Sequence, residues 1–99
     1  MTGDPVHEPA LRLDKWLWHA RFFKTRALAA QVVERRRVRI NQTVVTKAHY
    51  RVRPGDVLTF AQGRRVRVVR VLGIGERRGP ASDAQTLYED LLGPETADQ

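Results

Sequence analysis

The segment Arg12-Leu13-Asp14-Lys15-Trp16-Leu17-Trp18-His19-Ala20-Arg21-Phe22-Phe23-Lys24-Thr25-Arg26 sets cations beside aromatic rings, with Asp14 as its sole acid. Guanidinium groups bind phosphate as a two-pronged fork and stack on planar bases, and aromatic rings stack on unpaired bases. The mixture suits a polyanion with accessible bases. Other chemistry finds little support. His7, His19 and His49 lack the spacing of metal ligands and the chain has no cysteine to join them, so no metal site and no cofactor is expected. There is no nucleophile and base pair, no glycine-rich phosphate loop and no carboxylate dyad, so no catalytic residue is assigned. Asp14 reads as a helix-start residue and Asp56 as a turn residue.

The 99-residue chain carries a net charge of +7, and that charge is unevenly spread. All 18 Lys and Arg lie between Arg12 and Arg78, where Asp14, Glu34, Asp56 and Glu76 are the only acids, a local balance of +14. Such a basic middle attracts nucleic acid through counterion release and long-range steering. An anionic membrane surface is the weaker option, since it would need a basic amphipathic helix with an exposed apolar face, or a lipid anchor. No apolar run approaches the ~20 residues of a membrane helix. The opening MTGDPVHEPA has neither the positive start nor the apolar run of a signal peptide. With no cysteine to form disulfides, a soluble cytoplasmic protein of one small domain is expected, with no membrane and no small-molecule substrate.

The elements that must hold these residues are legible from periodicity. Residues 1–10 read as a flexible acidic leader. A first helix starts near Leu13 or Asp14 and gathers Leu13, Trp16, Leu17 and Ala20 within about 100° of arc, leaving Arg12, Lys15 and His19 outward. Trp18 and Phe22 flank that face and are open to two roles, packing or base stacking, with packing the first expectation. Thr25 is a natural N-cap for a second helix from Arg26 to about Arg35, with Leu28, Ala29, Val32 and Val33 inward. The period then changes to two: Val38 and Ile40 face the core, Arg37 and Arg39 face out, and Asn41-Gln42 turns the chain toward Val44 and Val45. Pro54-Gly55-Asp56 leads into a strand over Val57 to Phe60, and a turn at Gln62-Gly63 leads into a strand beginning at Arg64. A bulge near Val68 and Val69 would bring Val66, Val68, Val69 and Val71 all to the core. Arg64, Arg65 and Arg70 suit either a solvated face or RNA. Ser82 and Gln85 have capping-box spacing, and Ala84, Leu87, Tyr88 and Leu91 fall on one helical face before Gly93-Pro94 stops the helix. The fold class is α+β: two short N-terminal helices packed on a small antiparallel sheet, plus a C-terminal helix. By segment, 11–73 is the nucleic-acid-binding domain, 74–93 its helical extension and 94–99 an acidic tail. The basic residues of the first helix, the helix junction and the hairpin are expected to merge into one outward surface.

Arg12-Leu13-Asp14-Lys15 with Leu17, Arg21, Lys24-Thr25-Arg26, Ala29, Val33, Val38-Arg39-Ile40-Asn41 and Gly55-Asp56 resemble the alpha-L RNA-binding motif, the module named from small-subunit ribosomal protein S-four. The resemblance covers about Leu11 to Phe60. DKWLWHARFFKTRALA, and ERRGPASDAQTLYEDL beyond it, more closely resemble the fifteen-kilodalton heat-shock protein branch of bacterial ribosome quality control. That resemblance implies a non-catalytic, stress-response RNA-binding protein whose partners are the ribosomal RNA of the large subunit and the peptidyl-tRNA left there after stalling. It implies RNA contacts at Arg12, Lys15, Arg21, Lys24, Thr25, Arg26, Arg37 and Asn41, with Arg39 and Lys47 as further candidates. A monomer is expected. Two alternatives stand beside this reading: a general assembly or structural rRNA-binding protein, and the RNA-binding subunit of a modifying enzyme. The chain departs from the family where Arg36 and Gln42 replace usual glycines. A Gln at a turn position with φ > 0 costs on the order of 1 kcal/mol, which predicts a wider hairpin than in relatives.

Overall fold

In the computed structural model, which describes residues 9–92, the change of period after Arg35 becomes the boundary between a helical layer and a sheet. β1 (Leu11–Arg12) leads straight into α1 (Leu13–His19), and α2 spans Arg26–Glu34. The strands are β2 (Val38–Ile40), β3 (Thr43–Val45), β4 (Arg51–Val52), β5 (Val57–Gln62), β6 (Arg65–Val71) and β7 (Tyr88–Asp90), with α3 (Ala81–Ala84) and a 3-10 turn (Gln85–Leu87) before β7. The main sheet is antiparallel in the order β3-β2-β5-β6-β7, and β1 pairs with β4 in a separate ribbon. This is the expected α+β class. The leader, apart from Pro9 and Ala10, lies outside the described residues, as do the acidic tail and the Gly93-Pro94 stop. Among the described residues no helix is long and apolar enough to cross a membrane.

The core forms where the helical and strand stripes meet. Leu13, Trp16 and Leu17 of α1 and Ala29 and Val33 of α2 bury against Val38 and Ile40 of β2, Leu58 and Phe60 of β5, and Val69 and Val71 of β6. Thr25 caps α2, its Oγ1 accepting from Leu28 N at 3.0 Å, which is the role the sequence pattern assigns it. Leu28, expected inward, is 43% exposed because the sheet meets only the Ala29 and Val33 side of α2.

Three expectations need correction. The predicted bulge is absent: β5 and β6 pair without interruption from Val57↔Arg70 to Gln62↔Arg65, so Val69 and Val71 face inward while Val66 and Val68 face out. Arg67 lies on the same inward face. Its Nη1 donates to Gln62 Oε1 at 2.8 Å and its Nη2 to Asp90 Oδ2 at 3.0 Å, while the guanidinium lies 5.1 Å from the Phe22 ring centroid. A long cation that satisfies its head at the core's edge leaves no reason to break the register. The connecting turn is accordingly Gly63-Arg64, one residue later than expected.

The C-terminal helix exists but is short. Pro80 rather than Ser82 occupies its N-cap, and from Tyr88 the chain is strand, pairing Tyr88 with Val71 and Asp90 with Val69. Leu87, Tyr88 and Leu91 therefore do not share a helical face. The free edge of β6 offers backbone partners along its length, and pairing there removes an exposed edge.

The hairpin is not widened. Ile40 pairs with Thr43 across a two-residue turn in which Asn41 (φ 50°) and Gln42 (φ 75°) are both left-handed. Asn41 pins that turn to the sheet: its Oδ1 accepts from Val57 N at 3.0 Å and its Nδ2 donates to Asp56 Oδ1 at 3.2 Å. These bonds hold the tight geometry despite the strain at position 42. Gln42→Gly should raise unfolding stability by about 0.5–1 kcal/mol, read as a higher urea midpoint at unchanged slope.

Candidate nucleic-acid interface

At the start of α1 the sole acid of the opening segment is a shared anchor. The Asp14 side chain is only 3% exposed, whereas those of Arg12 and Arg26 are 42% and 41% exposed. Arg12 grips the carboxylate with both prongs, Nε to Oδ1 at 3.1 Å and Nη2 to Oδ2 at 3.0 Å, and Arg26 Nε reaches Oδ2 at 3.4 Å. Lys15 N also donates to Oδ1 at 2.8 Å. Asp14 does sit in the first turn of α1, as expected, but its carboxylate ties β1 to α2 rather than merely starting a helix. One acid between two guanidiniums leaves the group positive, with both forks reaching solvent. The turn bearing Lys47 lies alongside, because Asp14 N donates to Ala48 O at 3.2 Å and Leu13 N to Tyr50 O at 2.7 Å. Lys15, Lys24, Thr25 and Lys47 complete this helix-junction group.

Arg21 has a divided role. It sits at φ 66° just after α1 and its Nε donates to Gly79 O at 2.8 Å. Segment 73–79 runs along α1 and is fastened there by Trp16 Nε1 to Gly73 O at 2.8 Å and Arg78 Nε to Trp18 O at 3.0 Å. This strap buries His19, which the helical wheel alone turns outward. The two open rings differ in their surroundings. Phe22 is core, with ring centroids 5.0 Å from Phe60 and 4.6 Å from Tyr88, and the Trp18 ring has the Arg78 guanidinium 5.5 Å from its centroid. Nothing local in the sequence singles out Arg67 or Arg78, since both partnerships are with residues far along the chain.

Arg37, Arg39 and Asn41 form a second group. Arg39 lies between the buried Val38 and Ile40, so strand alternation turns it to the sheet face away from α1 and α2. There Arg36, Arg37 and Arg39 border a groove of about 220 Å³ that also includes Thr59. Asn41 stands at the hairpin end, with its amide already bonded to the Val57 and Asp56 turn. The expected single surface is therefore two groups, one at the helix junction and one on the outer sheet face. Arg36 is absent from the sequence candidates, and its replacement of a usual glycine was the available signal.

The sequence and the fold have known relatives. Residues 11–58 match the S4 domain. Heat shock protein 15 of Escherichia coli is 48% identical over 80 residues, which is 81% of this chain and 59% of that protein. A trimeric structure of Vibrio cholerae heat shock protein 15 matches with a TM-score of 0.79 at 36% identity, covering 91% of this chain and 87% of that one. The chain belongs to the heat shock protein 15 family of S4-domain, or alpha-L motif, proteins. It spans 59% of the length of the curated Escherichia coli relative. The small ribosomal subunit protein uS4 of Janthinobacterium is also similar, at 36% identity over 73 residues, 72% of this chain and 35% of that protein.

In this heat shock protein 15 family member, neutralisation is uneven across the surface. Among the described residues no carboxylate lies within 4.0 Å of Lys15, Lys24, Arg36, Arg37, Arg39 or Lys47, while Arg67 pairs with Asp90 at 3.0 Å and Arg70 with Glu89 at 2.6 Å. Arg70, left open between solvent and RNA, thus has an internal partner. No group of three metal-binding side chains occurs among the described residues.

His19 registers the local field. Burial pushes its imidazole below the ordinary 6.5, the positive Lys15 and Arg26 push the same way, and the contact with Ile74 O opposes them. The unfolded chain therefore binds the proton more readily than the fold. The stability from a neutral His19 is complete above 6.5 and is lost as pH falls through the lower folded value. Urea midpoints should drop on acidification across that window, and His19→Gln should flatten the drop.

Proposed function

We propose that this chain is a non-catalytic cytoplasmic RNA-binding protein that binds the large ribosomal subunit carrying peptidyl-tRNA after stalled translation, contacting ribosomal RNA and tRNA in ribosome rescue. The observation that carries this reading is the helix-junction group: two half-exposed guanidiniums oriented by one buried carboxylate, flanked by Lys15 with no acid partner among the described residues. Guanidiniums held in fixed orientation favour a folded RNA of matching phosphate geometry over a loose polyanion, because less side-chain freedom is lost on binding. Residues 11–73 would form the binding domain and 74–93 its extension, with Arg12, Lys15, Lys24, Thr25, Arg26 and Lys47 at the junction. Arg37 and Arg39 would contribute from the sheet, and Arg21 and Asn41 would contribute alongside their structural bonds.

The likeness to small ribosomal subunit protein uS4 favours a second reading, a stoichiometric rRNA-binding structural or assembly protein. Gradient sedimentation of the tagged protein separates the two. Enrichment on free large subunits that also contain tRNA supports rescue, and uniform presence in translating ribosomes supports the structural role. The same fractions report oligomeric state through crosslinking: the sequence reading is a monomer, whereas the Vibrio cholerae relative has a trimeric structure.

A further inference from the structure

Three consecutive arginines, Arg35, Arg36 and Arg37, connect α2 to β2, and the middle one is left-handed at φ 66°. Arg36 N donates to Val33 O at 3.0 Å and Arg37 N to Val32 O at 3.2 Å. This is the helix-ending geometry that favours glycine, because a Cβ is strained there. Arg36 is exposed, so no burial of its own offsets that strain. What its side chain has is position, at the rim of the groove it shares with Arg37 and Arg39. Arg39 pairs in register with Thr59, and Ala61 with Val66, so the groove combines cations, one hydroxyl and a small apolar floor.

Like charges around one concavity repel, and among the described residues none of these three arginines has a carboxylate within 4.0 Å. At the far side of the same sheet, Arg67 and Arg70 each have one. The sheet thus neutralises Arg67 and Arg70 internally and leaves the arginines beside β2 to an outside anion. Backbone strain borne by an exposed cation facing that groove is a feature that tends to accompany binding sites.

We propose that this groove is a phosphate-binding cleft that grips the sugar-phosphate backbone of bound RNA on the sheet face away from the helices, with Arg36 as one of its ligands. It is a contact region separate from the Asp14 junction, and it rests on the RNA-binding reading above. The guanidiniums and the Thr59 hydroxyl donate to phosphate oxygens, while Ala61 and Val66 underlie the sugar.

The test is binding of dye-labelled protein to purified large ribosomal subunits across a salt series. Arg36→Gly should raise the urea midpoint by relieving the left-handed strain, yet weaken binding about tenfold and make the slope of log K against log salt shallower by about 0.7 to 0.9. Gln42→Gly relieves similar strain without changing charge and should leave binding unaltered. Arg36→Lys, which keeps the charge, should retain most of the affinity. If Arg36→Gly binds with wild-type affinity and slope while Arg12→Ala weakens binding, the cleft is wrong and the RNA-binding reading stands. If the wild-type protein does not bind subunits at all, both are overturned.

Discussion

Asp14→Asn should weaken binding to large ribosomal subunits about tenfold, although removing a negative charge from the proposed RNA-binding surface should by charge count strengthen it. The opposition of signs makes the prediction sharp. Asn keeps the shape, and its amide oxygen can still accept from Lys15 N, so α1 retains its start. It cannot accept the Arg12 fork through two oxygens, nor balance the repulsion between Arg12 and Arg26. Freed guanidiniums would separate and lose the orientation that gives them value beyond charge. Asp14→Ala removes the acceptor altogether and should in addition destabilise the fold by about 3 kcal/mol, since a nearly buried carboxylate with several donors is lost. Anisotropy with labelled protein measures the first effect and urea denaturation the second. Tighter binding by Asp14→Asn would show that net charge alone governs the interaction, and the anchor would then be structural only.

Trp16→Ala should cost about 3–5 kcal/mol, a large part of the 5–15 kcal/mol that typically stabilises a small domain. Trp16 is fully buried, and it is the point where α1, the sheet and the 73–79 strap are joined. The strap's share can be isolated. Trp16→Phe keeps most of the ring but removes the Nε1 bond to Gly73 O, and should cost about 1–3 kcal/mol, including the cavity left by the smaller ring. Because that bond fixes the strap along α1, Trp16→Phe should also speed amide exchange between Gly73 and Arg78 and expose His19. If exchange there is unchanged while the midpoint falls, the bond contributes to packing energy without holding the strap.

Legibility followed the range of the interactions. The inward set of α1, the Thr25 cap, the outward Arg37 and Arg39, and the Asn41-Gln42 turn were all readable, because each depends on side-chain periodicity or on bonds within a few residues. Leu28 was misread because a helix presents more apolar surface than its partner layer can cover. His19 was misread because the strap that covers it comes from residues 55 positions later. The C-terminal segment carried a sound helical pattern from Ala81, yet the open edge of β6 supplied a better use for Tyr88–Asp90.

The candidate site divides along the same line. Residue types and spacing pointed to a basic, cysteine-free α+β chain and to its arginines, since charge and period are properties of neighbours, and the alpha-L kinship entered through resemblance to a known family. Only tertiary structure decided which cations are held, which are neutralised and which have no carboxylate within 4.0 Å among the described residues. Asp14 meets Arg26 across 12 residues, and Arg67 meets Asp90 across 23. Those pairings exist because packing the helices on the sheet brings distant side chains within hydrogen-bond reach, a condition that no local pattern encodes.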